Sequence, residues 1–127
     1  MKKHPLLSVS AVLFELHSLL AIVCTVYFSV FNVMLAEETP DDINIWVMCL
    51  FLITAMLAIA LELVAGRNAL NGDSLMNLRQ FALSAVVFNA CAWFSGASIH
   101  QVWFPFPIGI VIGILFITGV KKTVEEE

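Results

Sequence analysis

Apolar residues fall in four long runs, roughly residues 6–35, 43–66, 77–98 and 102–120, and most charged residues lie in the connectors and at the two ends. A helix needs about 20 mostly apolar residues to cross a hydrocarbon core about 30 Å thick. Each run reaches that length or comes within a residue or two of it. In lipid a backbone must satisfy its own hydrogen bonds, so such runs form helices rather than open strands. The pattern predicts one all-α domain over residues 1–127, an integral membrane bundle of four transmembrane helices. The first run follows Lys2 and Lys3, as a secretory signal peptide would. It outruns the roughly 7–15 residue apolar core of such peptides, contains Glu15 and His17, and ends without a small-x-small site. It therefore reads as a retained helix.

Composition agrees with this pattern. Of 127 residues, 61% are hydrophobic and 13% charged. Soluble domains carry about 45–50% apolar and about 25% charged residues. A soluble fold this small leaves too much surface exposed to hide so many apolar side chains. The formal net charge of −4 says little alone, because position matters more than sum. The N-terminal stub holds Lys2, Lys3 and His4, and the second connector, Gly66 to Gln80, holds Arg67 and Arg79. Lys121 and Lys122 precede the three terminal glutamates. The connector around Glu37, Glu38, Asp41 and Asp42 and the turn from Ser98 to Val102 contain no Lys or Arg. Basic residues remain cytoplasmic and acidic ones count little. All six bases then agree on N-in/C-in topology, and the expected location is a bacterial inner (plasma) membrane. Trp46 and Trp103 follow the two outer connectors, at the headgroup level that tryptophan prefers. Pro40 interrupts the first of these connectors. Pro105 and Pro107 sit at a helix start, where a missing N–H costs little.

Helical periodicity then sorts the faces. Ser8, Ala11, Glu15, Ser18, Ile22, Thr25, Ser29 and Asn32 form one stripe on the first helix. Small and weakly polar residues in membranes face other helices, so the stripe reads as a packing seam, or else as one wall of a polar path. A second stripe on the third helix holds Ala85, Asn89, Ala92 and Gly96, and the fourth helix carries Gly109-x-x-x-Gly113. These are helix-packing positions, within the bundle or between subunits. The two hairpins share a loose helix–connector–Trp–helix plan, which any two hairpins can share.

Intramembrane ionisable residues carry function by default. The candidate polar site is Glu15, His17, Glu62 and Asn89. Glu15 and His17 are two residues apart and point to nearly opposite faces, so they cannot pair locally. If both are shielded from lipid, the first helix has neighbours on both sides, in a central position or in a homo-oligomer. Glu62 is expected about one turn from the inner end of its helix, with Arg67 and Arg79 as cytoplasmic charge partners. Thr25, Thr54 or Asn32 are the expected partners of Asn89. Glu15 is left as the group with no assured partner.

Chemistry is otherwise sparse. His17 and His100 lie at different depths, and Cys24, Cys49 and Cys91 are widely separated, so neither set has metal-ligand or haem spacing. No nucleophile elbow, phosphate loop or metalloprotease motif is present. No catalytic residue, metal, cofactor or nucleic-acid partner is expected.

The segment from Arg79-Gln80-Phe81 through Trp103-Phe104-Pro105-Phe106-Pro107-Ile108-Gly109 to Ile112-Gly113-Ile114 resembles the small bacterial two-transmembrane (2TM) domain. The likeness covers about the last third of the chain. It departs where that family carries His, since Leu83 and Ser84, then Phe116 and Ile117, stand at those places. The resemblance implies a helical hairpin, alone or attached to a signalling protein, and no catalytic chemistry. The expected function is that of a non-enzymatic accessory or interaction subunit packing in the bilayer against itself or a larger membrane protein. The alternatives are a small oligomeric transporter or channel using Glu15 and Glu62, and the membrane part of a signalling system.

Overall fold

A computed structural model describes residues 4–38, 45–72, 74–98 and 104–125 of the chain. The apolar runs become four helices: α1 (Pro5–Glu38), α2 (Ile45–Asn71), α3 (Leu75–Ser98) and α4 (Pro105–Glu125). Each contains a stretch long and apolar enough to cross a membrane, namely Pro5–Tyr27, Trp46–Asn71, Leu75–Ala97 and Pro105–Glu125. The chain is thus an all-α, four-helix protein of multi-pass membrane type. Trp103, Pro40 and His100 lie outside the described residues, as do the side chains of Ser29 and Asn32.

Helix ends depart from the apolar runs by a few residues, for local reasons. The helix expected to stop at Gly66 runs on to Asn71. Amphipathic and polar turns extend a helix once its apolar part is packed. The stop is Gly72, with φ of 83°, a left-handed conformation that glycine adopts without a Cβ penalty. Arg67 and Arg79 therefore lie on helices, not in a connector. α1 begins on Pro5, whose fixed φ suits a first turn. His4 caps it, its Nδ1 accepting from Leu6 N–H at 3.1 Å. His4 N–H in turn donates to Thr123 Oγ1 at 3.0 Å, tying the start of α1 to the end of α4.

The helices form an antiparallel ring, α1 beside α2, α2 beside α3, α3 beside α4 and α4 beside α1, and among the described residues the diagonal pairs make no close approach. Both described chain ends and the Gly72 turn share one end of the ring, the terminal end. Two apolar clusters fill its interior. The terminal one includes Leu7, Phe14, Ala65, Leu78, Ala82, Ile112 and Phe116. The distal one holds Cys24, Phe51, Ala55, Ala92 and Phe106. Phe14 packs on Phe116 with ring centroids 5.0 Å apart, and Phe51 meets Phe106 edge-on at 5.7 Å.

The size pattern is the reverse of a soluble protein's. Besides these rings and a few aliphatic side chains such as Leu7, Leu78 and Ile112, the apolar and small interior is mostly Ala, Ser, Thr and Gly, while Val9, Leu16, Leu19, Val23, Ile53 and Met56 point outward. An aqueous surface does not carry so continuous an apolar cover, whereas lipid tails are as apolar as Leu. Trp46, at the first turn of α2, is 83% exposed.

Small residues set how closely the helices approach. A Cβ on Gly119 would lie 2.7 Å from both Cα and N of Leu7, which are backbone atoms and cannot swing aside. Gly119→Ala is expected to cost about 1–3 kcal/mol by overpacking. Gly72→Ala meets no neighbour within 4 Å and should cost about 1 kcal/mol through φ alone. Unfolding of both variants in one detergent tests this; a neutral Gly119→Ala would contradict the close α1–α4 approach.

Candidate functional site

Between the two apolar clusters lies one polar layer, and it joins all four helices. His17 on α1 meets Glu62 on α2 through Nδ1 and Oε2, 2.7 Å apart. Its other ring nitrogen, Nε2, donates to the carbonyl of Pro105 at the start of α4. Asn89 on α3 donates from Nδ2 to Glu62 Oε1 at 2.8 Å, and to its own helix at Ala85 O, also 2.8 Å. Ser18 Oγ donates to Phe14 O at 2.7 Å and approaches Glu62 Oε2 at 3.2 Å. His17 is 4% exposed, Glu62 0% and Asn89 1%.

Local sequence explains why these side chains meet. Glu62 lies on a stripe with Ala55, Ala58, Ala65 and Ala69, spaced by three and four residues and all buried. That alanine face packs inward and carries the carboxylate with it. His17 shares its face with Ser10, Ala21 and Cys24, which are buried as well. Gly109 admits the layer: a Cβ there would sit 2.6 Å from Asn89 Oδ1 and 2.7 Å from His17 Cε1. Each of His17, Glu62 and Asn89 lies within roughly four residues, about 6 Å at 1.5 Å per residue, of the middle of its membrane-crossing stretch.

Proton counting constrains the layer further. A carbonyl only accepts, so Nε2 of His17 must carry hydrogen. The 2.7 Å contact between Nδ1 and Oε2 needs one more proton between them. With the proton on nitrogen the pair is imidazolium and carboxylate; with it on oxygen both groups are neutral. Either way the pair is neutral overall, as a membrane interior demands. Both Nδ2 hydrogens of Asn89 are used, and this assignment is the one that puts a donor, not a second acceptor, against the carboxylate. Asn89 Oδ1 has no partner.

The arrangement corrects three expectations. Glu62 does not pair with Arg67 or Arg79. α2 runs nine residues beyond it, about 13 Å, and Arg67 stands five residues on, about 140° round the helix. Asn89 is partnered by Glu62 and Ala85 rather than by Thr25 or Thr54. Thr54 donates to Leu50 O and Phe51 O, and Thr25 Oγ1 is buried without a partner. Glu15 does have a cationic neighbour: its Oε2 is 4.0 Å from Arg67 Nε. Gly66 permits this, since a Cβ there would lie 2.7 Å from Glu15 Oε1. With Arg67 75% exposed, such a pair contributes at most about 1 kcal/mol, and Glu15 Oε1 is left without a hydrogen bond. His17 faces both α2 and α4 and is shielded within a single chain, whereas Glu15 faces α2 beside Arg67 and stays partly exposed.

The remaining candidates are placed as follows. Ala85, Ala92 and Gly96 are buried on α3, and Gly109 and Gly113 face α3 and α1 across α4. A Cβ on Gly113 would strike Val86. Arg79 is exposed near the start of α3. Cys24 is a buried free thiol, and Cys49 and Cys91 are exposed. Among the described residues no three His, Cys, Asp or Glu side chains converge as a metal site would require. Ser18 and the Pro105 carbonyl are members of the layer that sequence reasoning missed. Ser18 was legible as a seam residue, but nothing in the sequence marks a main-chain carbonyl as an acceptor. No protein-family model, curated protein or solved structure matches this chain.

Removing one partner of a buried pair strands the other, at a cost of about 3–5 kcal/mol. Glu62→Ala and His17→Ala should each lose about that much stability in mixed micelles. The double variant should lose far less than their sum. Glu62→Gln should be mild, because its amide can donate to a neutral Nδ1 while its oxygen accepts from Asn89. Additive single-variant costs would show that the two residues are not coupled.

Proposed function

We propose that this chain is a small bacterial inner-membrane protein, with both termini cytoplasmic, that acts as a non-enzymatic accessory or interaction subunit packing against itself or a larger membrane protein. The observation that carries this reading is the closure of the polar layer. Its donors and acceptors are spent largely on one another, with Phe14 and Phe116 on one side and Phe51 and Phe106 on the other. All four rings are fully buried. A group held in this way fixes helix register, as buried polar residues do where they specify assembly. The surface left to meet other molecules is the apolar exterior.

A second reading, a small oligomeric transporter or channel, draws on two buried oxygens without partners, Glu15 Oε1 and Asn89 Oδ1, and on the single proton shared by His17 and Glu62. Glu15 and Glu62 would be its coupling residues. In the third reading the bundle is the membrane part of a signalling system, for which the hairpin likeness of α3 and α4 is the support.

Reconstituted into liposomes, the protein should leave proton and alkali-cation leak at the level of empty vesicles. Glu15→Gln and Glu62→Gln should leave it there. A flux abolished by either variant at unchanged expression would favour transport and sink the accessory reading. Reporter fusions at both ends, alkaline phosphatase against a fluorescent protein, should be active only as cytoplasmic reporters. Phosphatase activity at either terminus would reverse the proposed topology.

A further inference from the structure

At the terminal end of the bundle a groove of about 620 Å³ opens between α3 and α4. Its volume falls within the roughly 300–1,000 Å³ of small-molecule sites. Ile117, Val120 and Leu75 form its floor; Val120 belongs to the terminal apolar cluster, and Leu75 and Ile117 pack against that cluster. On α4 the lining residues Ile117, Val120, Lys121 and Val124 fall at steps of three, one and three, a single face. The groove is open along its length: Met76 is 70% exposed and Val124 52%. Arg79 and Lys121, both exposed, stand over this apolar trough from opposite helices. Neither has an ion-pair partner among the described residues. Glu125 shares the rim, which leaves the groove one net positive charge.

Position decides what fits such a groove. Arg79 is in the second turn of α3 and Lys121 in the second-last turn of α4, the level at which a membrane-crossing helix meets lipid headgroups. The trough between them is open to the side, where acyl chains lie. We propose that this groove binds one anionic phospholipid, its phosphate held between Arg79 and Lys121, its headgroup beside Met76 and Val124, and its acyl chains running into the bilayer past Ile117. Guanidinium and ammonium groups both donate to phosphate oxygens, and basic pockets between transmembrane helices take acidic headgroups. The inference rests on the membrane reading but not on which leaflet the terminal end occupies.

The test is native mass spectrometry of the full chain released from detergent with phosphatidylglycerol, phosphatidylcholine of the same acyl chains, or inorganic phosphate. Phosphatidylglycerol should bind about tenfold more tightly than phosphatidylcholine. Arg79→Gln and Lys121→Gln should each lose roughly fivefold, and the double variant should show no preference between the lipids. Arg79→Lys should keep most of the preference, which separates lost charge from lost fold. Arg67→Gln, which removes a cation outside the groove, should change nothing. Equal binding of the two lipids overturns the proposal. So does a preference that survives the double variant, or one lost equally in Arg67→Gln. Displacement of the lipid by phosphate at matching concentration also overturns it, since the site would then hold a free anion. Failure of the membrane reading would appear separately, as chain recovered in the aqueous fraction when cells are fractionated.

Discussion

The contact between His17 and Glu62 constrains everything around it. An ionisable group in the middle of a membrane is expensive unless its charge is cancelled and its hydrogen-bonding capacity filled. Here one proton shared over 2.7 Å cancels the charge. The same two side chains then reach to Pro105 and Asn89 and so draw in α4 and α3. No other position of α2 relative to α1 would satisfy Glu62 as fully. A shift of one residue on α2 would turn the carboxylate by about 100°, and one on α1 would turn the imidazole as far, out of reach of its partner.

This has an energetic consequence that differs from raw stabilisation. Interhelical hydrogen bonds in membranes contribute only about 0.6 kcal/mol on average, because an unfolded helix in lipid also finds partners. The layer therefore matters less for how stable the bundle is than for which bundle forms. The wrong registers are penalised by an unpaired carboxylate, whereas apolar clusters alone would tolerate several. The close approach that the layer needs is supplied by missing side chains. Gly109 lets α4 reach His17 and Asn89, Gly119 lets it reach the backbone of Leu7, and Gly66 makes room for Glu15.

Function follows from where polarity has been used. The buried polar side chains are largely committed to internal bonds, mostly to the carbonyl one turn back or within the central layer. Among the described residues, the exposed cations gather at the terminal end, in Arg67, Arg79, Lys121 and Lys122. An interior closed by aromatic rings and an apolar exterior with basic residues at one end suit the proposed role of packing beside lipid and other membrane chains.

Much of this architecture was legible in the sequence. Four apolar runs dictated four helices, because lipid allows an unpaired backbone no alternative. The clustering of bases marked one end of the bundle, and periodicity put Glu15 and His17 on separate faces. The alanine stripe through Ala55, Ala58, Ala65 and Ala69 carries the same kind of information for Glu62, but the sequence-based expectation pairs Glu62 with Arg67 or Arg79. What periodicity could not supply was the neighbour. His17 lies 45 residues from Glu62 and 88 from Pro105, and helical spacing reports which face a side chain is on, never which helix stands opposite or at what height. That height is set by interlocking of Phe14 with Phe116, Phe51 with Phe106, and glycines with the backbones beside them. The sequence by itself determined the number of helices, their composition and part of their buried faces; Ile22, on the expected seam of α1, is exposed. Only tertiary packing decided that Glu62, rather than Glu15, would be the carboxylate at the centre, because only packing brings a histidine and an amide to the same depth.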